Sequence, residues 1–123
     1  MERVSMGKAH DVQNELREPA RRLRKALPNV LAGYSALHDA AMADGALSGA
    51  TKELIALAIA VTRECDGCVV AHARGAARRG ITEAEVAEAI GVAIMMNGGP
   101  GTVWGPRALD AFVEYAAPPP SAD

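Results

Sequence analysis

The sequence predicts an all-α protein, a single-domain helical bundle with a central antiparallel helical hairpin that carries a Cys-x-x-Cys pair. Half of the 123 residues are apolar, yet only four are aromatic, so alanine and aliphatic side chains must form the core. Apolar residues recur at helical spacing in most segments, and capping residues and glycines separate these segments. A chain of this length is expected to form one domain, since single domains contain roughly 100 to 200 residues.

Charge and hydropathy argue against some classes of function. The formal net charge of −2 gives no general attraction to nucleic acid or to an anionic membrane. The longest uninterrupted apolar run, residues 54–61, has eight residues, whereas a membrane-spanning helix needs about 20. No secretory apolar segment follows Met1. We therefore expect a cytoplasmic protein that binds neither nucleic acid nor membrane.

Residues 1–18 are expected to form an N-terminal arm, a frayed or partner-dependent helix, because their apolar positions are scattered. Pro19 would break or kink that helix, although proline also suits the first position of a new helix. The helical domain is expected to cover residues 19–116. Three consecutive prolines then end regular structure, so residues 117–123 are predicted to be a disordered tail.

The next predicted helix begins at Pro28 and ends near Asp44 and Gly45. Its apolar face is formed by six residues at helical spacing: Leu31, Tyr34, Leu37, His38, Ala41 and Met42. His38 lies at the edge of this face, where it could be a core histidine or an outlying residue of a functional site. Four basic residues precede this helix, and we interpret them as a solvated face because no aromatic residue interleaves them: Arg21, Arg22, Arg24 and Lys25.

Ser48 can cap a further helix, which is predicted to end near Arg63. Its apolar run, residues 54–61, could by itself be a buried strand, but its three alanines favour a helix. A helix that is apolar on all sides must be covered on all sides. In so small a protein, part of that cover is expected from another subunit, so we predict a homo-oligomer.

Three more helices are predicted toward the C-terminus. The first begins around Cys65 and ends in a basic turn before a glycine. Thr82 and Glu85 have the spacing of a capping box for the second, which is expected to stop at the glycine-rich residues 97–101. The last helix is predicted over about residues 103–116.

The candidate functional residues of this chain are Glu53, Cys65, Cys68 and His72. If Cys65 opens a helix, the two cysteines and His72 occupy positions i, i+3 and i+7 on one face. A Cys-x-x-Cys pair at a helix start has the short separation that a disulfide needs, and the helix dipole stabilises a thiolate there. His72 can reach Cys68, directly or through one water molecule, as a general base.

Hairpin geometry adds Glu53 to these residues. Glu53 lies about eleven residues before the turn near Glu64 and His72 about eight after it, so at roughly 1.5 Å per residue the two side chains reach comparable heights on adjacent antiparallel helices. A carboxylate there could orient the imidazole, or it could be a first-turn acid favoured by the helix dipole. The dipole and greater exposure favour Cys65 as the more reactive thiol, whereas the neighbouring base favours Cys68, which we expect to react first.

Two other interpretations of the cysteines stay open. The cysteines and His72 could bind zinc with a fourth ligand from Glu53, His38 or water. Structural zinc sites usually draw ligands from two separated segments, however, and here three would lie on one helix. The cysteines could also be inert core residues, although Asp66 and Gly67 between them favour a partly exposed turn.

The order Glu, eleven residues, Cys, two residues, Cys, three residues, His, followed by the sequence ITEAEVAEAIGVAIMMNGGPG and a last helix, resembles the AhpD-like (alkyl hydroperoxidase D) branch of the carboxymuconolactone decarboxylase family. The resemblance covers roughly residues 27–116. It implies an all-α, AhpD-like fold, a homo-oligomer (trimer or hexamer) and thiol-dependent reduction of hydroperoxides. Members of the decarboxylase branch generally lack the cysteine pair.

Carried over to this sequence, the resemblance makes Cys68 the peroxidatic thiol and Cys65 its resolving partner, with Glu53 and His72 as a proton relay. One position differs, because the best-studied peroxidases of the family have a histidine where this chain has Gly67. No flavin, haem or nicotinamide site is visible, so we expect no bound cofactor. Electrons would come from an external dithiol, which the family suggests is of the lipoyl or thioredoxin type.

The sequence therefore predicts a thiol-dependent alkyl hydroperoxide reductase, an oxidoreductase with a redox-active cysteine pair. One alternative is a non-catalytic oligomeric redox sensor, in which oxidation of the pair changes assembly or partner choice. The other is an enzyme like carboxymuconolactone decarboxylase, whose activity would survive loss of both cysteines.

Overall fold

The computed structural model describes residues 6–118, and over this range the chain forms helices and no strand. The helices are α1 (Lys8–Ala26), α2 (Pro28–Met42), α3 (Gly49–Arg63), α4 (Asp66–Arg78), α5 (Glu83–Asn97) and α6 (Gly99–Ala116). The predicted all-α bundle is thus confirmed. Within the same range, no helix has the length and apolar character needed to span a bilayer. Most of the predicted tail, from residue 119 onward, lies outside the described residues, as do residues 1–5 of the predicted arm.

The core lies among α3, α4, α5 and α6, the helices that pack most extensively on one another. Its largest fully buried side chains are Leu57, Val61 and Val86. Alanines such as Ala73 and Ala76 are fully buried on α4 and let the helices approach closely. The composition of this core is therefore the aliphatic one that the scarcity of aromatic residues predicts.

Local capping determines where these helices begin. The Ser48 side chain accepts a hydrogen bond from the Thr51 N–H at the start of α3, and Thr82 and Glu85 form a complete capping box on α5, as predicted. Helix α6 begins at Gly99, four residues earlier than predicted, because Pro100 fits the first turn of a helix, where its missing N–H is not needed.

The expected break at Pro19 is absent, since α1 continues through it from Lys8 to Ala26. Pro19 lies on the exposed side of α1, so water can bond the carbonyl group that loses its helical partner. The end of the predicted arm at residue 18 is therefore not the end of a helix. The limits proposed for arm, domain and tail otherwise stay predictions.

The start of α1 is attached to the end of α6. The Glu114 carboxylate accepts hydrogen bonds from the backbone N–H groups of Ala9 and His10 and contacts the His10 ring. The Tyr115 hydroxyl donates to Gln13 at 2.6 Å. Burial raises the pKa of Glu114, but the bonds from His10 and Ala9 outweigh it, so this pKa lies below its ordinary value. Burial and the charge of Glu114 raise the pKa of Tyr115.

Helix α2 has the predicted apolar face, but the subunit does not bury it. No residue of α2 is buried, and Val30, Tyr34 and Leu37 are each more than 60 % exposed at 62, 65 and 66 %. His38 is exposed as well, so its interpretation as a core histidine is wrong. The amphipathic pattern identified the apolar face but not what covers it.

Candidate redox site

The hairpin of α3 and α4 brings the candidate residues together. Glu64 ends α3 in the left-handed conformation, with φ 52°, which turns the chain sharply enough for Cys65 to begin α4 as its N-cap. The Cys65 sulfur accepts a hydrogen bond from the Cys68 N–H at 3.3 Å. A disulfide joins Cys65 and Cys68, whose Cα atoms are 5.2 Å apart. The three-residue spacing at a helix start thus suits this bond.

The two sulfurs differ in exposure. Cys65 is only partly exposed, and its backbone N–H bonds the Ala60 carbonyl of α3. Cys68, in the first turn of α4, is exposed and lines a cleft together with His72. The expectation that Cys65 is the more exposed thiol is therefore wrong, because the cap position holds it against the end of α3. Both exposure and the neighbouring imidazole now favour Cys68.

His72 is held by the carboxylate of Glu53, as the hairpin geometry predicts. The distance between Nδ1 of His72 and Oε2 of Glu53 is 2.9 Å. Glu53 is only 6 % exposed and is the one buried charged residue of the described range. A carboxylate accepts hydrogen bonds, so Nδ1 carries the proton and Nε2 stays available as a base. The catalytic roles of both residues stay predictions.

Sequence reasoning missed Gly75, which makes room for Glu53. A Cβ at this position would lie 2.6 Å from the carboxyl carbon of Glu53, closer than carbon atoms can pack. A glycine inside a helix costs about 0.5–1 kcal/mol relative to alanine, so a glycine three residues after His72 was itself a signal of a close approach. The approaching group could not be known without the fold.

The cleft beside Cys68 has a volume of about 590 Å³. The His38 ring stacks on that of His72 with centroids 6.2 Å apart, so His38 is an outlying residue of this site. The rest of the wall includes Tyr34 and three arginines at or near the end of α4: Arg74, Arg78 and the C-cap residue Arg79. Three arginines and a single carboxylate, that of Glu53, make the cleft cationic. Within residues 6–118, no group of three or more His, Cys, Asp or Glu residues could hold a metal ion.

The family can be assigned from comparison with known proteins. The model of the carboxymuconolactone decarboxylase family matches residues 28–111, which include α3, α4 and the whole Glu-Cys-Cys-His arrangement. The chain belongs to this family.

Similar proteins agree with this assignment. A crystal structure of a carboxymuconolactone decarboxylase family protein from Legionella pneumophila, in its apo form, superimposes with a TM-score of 0.86 and 36 % identity, covering 89 % of this chain and 97 % of that one. An uncharacterized protein of Cupriavidus necator is 40 % identical over 73 % of this chain and 80 % of its own length. An uncharacterized protein of Haemophilus influenzae is 46 % identical with the same coverage.

Gly67, the position at which the predicted resemblance would place a histidine, is half-buried and is approached by α1. A Cβ at this position would lie 3.0 Å from Cδ1 of Leu16, so a larger side chain would require Leu16 to move. In this family member, the surface next to Cys68 is therefore shaped by α1 rather than by a second histidine.

Proposed function

We propose that this protein is a thiol-dependent hydroperoxide reductase of the AhpD-like branch of its family. The observation that carries the proposal is the position of Cys68, which is exposed in the same cleft as a histidine bonded to a buried carboxylate. The Cys65–Cys68 disulfide corresponds to the oxidised state that such a cycle produces. The family itself includes peroxidases and decarboxylases, so the cysteine pair is the feature that favours reduction.

The first step oxidises Cys68. His72 accepts the proton of the Cys68 thiol, and the thiolate attacks the distal oxygen of the hydroperoxide. The O–O bond breaks, Cys68 becomes a sulfenic acid, and the alkoxide leaves as an alcohol after taking the proton from His72. Glu53 stabilises the protonated imidazole in between, which is the usual role of a carboxylate behind a histidine base.

The remaining steps form the disulfide and then reduce it with an external dithiol. The Cys65 thiol attacks the sulfur of the sulfenic acid, so the disulfide forms and water leaves. An external dithiol, of the lipoyl or thioredoxin type, then returns two electrons and two protons by thiol exchange. We also propose that the enzyme works in the cytoplasm, where such donors are kept reduced.

The test is hydroperoxide consumption in the presence of an added dithiol. We expect Cys68→Ser to abolish turnover. Reduced Cys65→Ser, freed of dithiol before the hydroperoxide is added, should consume about one equivalent and then hold a sulfenic acid at Cys68 that a dimedone adduct reveals. Turnover by Cys68→Ser at the parent rate would refute the mechanism. A reversible disulfide with negligible turnover would instead point to the redox sensor, and lactone decarboxylation by a variant without cysteines to the other branch.

A further inference from the structure

The wall of the cleft carries more positive charge than the proposed chemistry requires. Arg74 and Arg78 of α4, and Arg79 directly after this helix, line it. Glu53 is the one acidic residue of this wall, and its carboxylate is engaged by His72. No carboxylate of residues 6–118 forms an ion pair with any of the three arginines. Their charges are thus available to an anion that enters the cleft.

The backbones of Arg74 and Arg78 are displaced along α4 from that of Cys68, although all three residues line one cleft. Arg74 follows Cys68 by six residues and Arg78 by ten, which places their backbone about 9 and 15 Å farther along α4 at roughly 1.5 Å per residue. An anion bound between Arg74 and Arg78 would thus lie farther along α4 than a peroxide group at Cys68.

A second groove adjoins the cleft and can receive an apolar body. It lies between α1 and α4, has a volume of about 270 Å³ and shares Gly67, Ala71 and Arg74 with the cleft. Val12, Leu16 and Val70 contribute its apolar lining, whereas Arg17 and Arg24 of α1 add positive charge. Apolar and cationic surfaces thus meet beside Cys68.

We infer that the preferred substrate is an organic hydroperoxide that carries a carboxylate, with its O–O bond at Cys68 and its carboxylate on Arg74 and Arg78. This inference rests on the proposed function. Charge-assisted hydrogen bonds from arginine to a carboxylate are among the stronger polar contacts, so the acid should react about tenfold faster than its neutral ester at low ionic strength.

The test compares a fatty-acid hydroperoxide with its methyl ester, both below their micelle concentrations, in single-turnover oxidation of the reduced protein. We expect the parent to prefer the acid about tenfold, and the double variant Arg74→Gln/Arg78→Gln to lose that preference. Arg22→Gln, an exposed arginine of α1 outside the cleft, should keep it. Arg79 lies against Gly49 at the start of α3 and is therefore left unchanged.

Several outcomes would overturn the inference. Equal rates for acid and ester would do so, as would a preference that survives in the double variant. If the double variant slows only reduction of the disulfide, the arginines serve an acidic electron donor. Calorimetry of the non-reactive fatty acid binding to Cys68→Ser tests the arginine site without turnover. If no hydroperoxide oxidises Cys68 of the parent, yet the fatty acid binds and the binding depends on the arginines, only the proposed function fails.

Discussion

The carboxylate of Glu53 occupies the space that a side chain at Gly75 would need. A Cβ on Gly75 would lie 2.5 Å from Oε1 of Glu53 and 2.7 Å from its Oε2. Glu53 is buried and bonded to His72, so it cannot move aside without releasing the imidazole. Gly75 is in this sense a positioning residue for the histidine, on the same helix but one turn beyond it.

Gly75→Ala is therefore expected to slow peroxide-dependent disulfide formation about 10- to 100-fold, because a shift of about 1 Å at a catalytic group can cost that much. Stopped-flow thiol oxidation measures the rate. Gly91→Ala is the matched control, since a Cβ there meets nothing within 4 Å. That variant should keep the parent rate and gain about 0.5–1 kcal/mol in free energy of unfolding. A parent-like rate for Gly75→Ala would show that the reaction does not depend on the position of the Glu53 carboxylate.

Glu53→Gln tests the charge of this carboxylate rather than its position. Glutamine has the same shape and can still accept the hydrogen bond from His72, but it cannot stabilise a protonated imidazole by charge. We expect the rate of Cys68 oxidation to fall by about 10- to 100-fold, toward the lower end of general acid–base effects because the imidazole itself remains, while the helical content stays at the parent value. Glu83→Gln, an exposed first-turn glutamate of α5, is the control. A rate within twofold of the parent would reduce Glu53 to a structural role.

The site shows what a sequence can and cannot specify. The proximity of Glu53 and His72 follows from counting residues on both sides of one tight turn, because helical rise is nearly constant. The contacts of Gly75 with Glu53 and of Gly67 with Leu16 depend on which helices approach each other and how closely, which no local pattern encodes. The continuation of α1 through Pro19 likewise depends on which side of the helix faces solvent.

A pH-dependent contact holds α1 to α6 through Glu114. The pKa of Glu114 is lower in the folded protein than its ordinary value of 4.5. The contact therefore stabilises the fold fully above pH 4.5, and this stabilisation is lost as the pH falls through the lower pKa of the folded state. The difference in free energy of unfolding between the parent and Glu114→Gln should thus be constant well above pH 4.5 and shrink as the pH falls below that value. Urea denaturation over this pH range measures it.

Glu88→Gln provides the comparison for loss of a carboxylate outside this contact, because Glu88 is exposed on α5. Its free energy of unfolding should follow that of the parent at every pH. If the difference between the parent and Glu114→Gln were the same at pH 7 and pH 3, the carboxylate of Glu114 would not be what attaches α1.

The uncovered apolar side chains of α3 support our proposal of a homo-oligomer. Ile55 and Ile59 lie one turn apart and are 44 and 55 % exposed in the subunit, so covering their remaining exposed area would contribute about half of the roughly 1.5–3 kcal/mol that full burial of such a side chain gives. We expect the parent to elute as a trimer or hexamer in light-scattering chromatography and Ile59→Glu as a smaller species with unchanged helical content, because an unpaired charge cannot be buried cheaply. Ala46→Glu, which adds the same charge in the exposed loop before α3, should leave the assembly intact. A parent that is monomeric at all concentrations would rule the oligomer out.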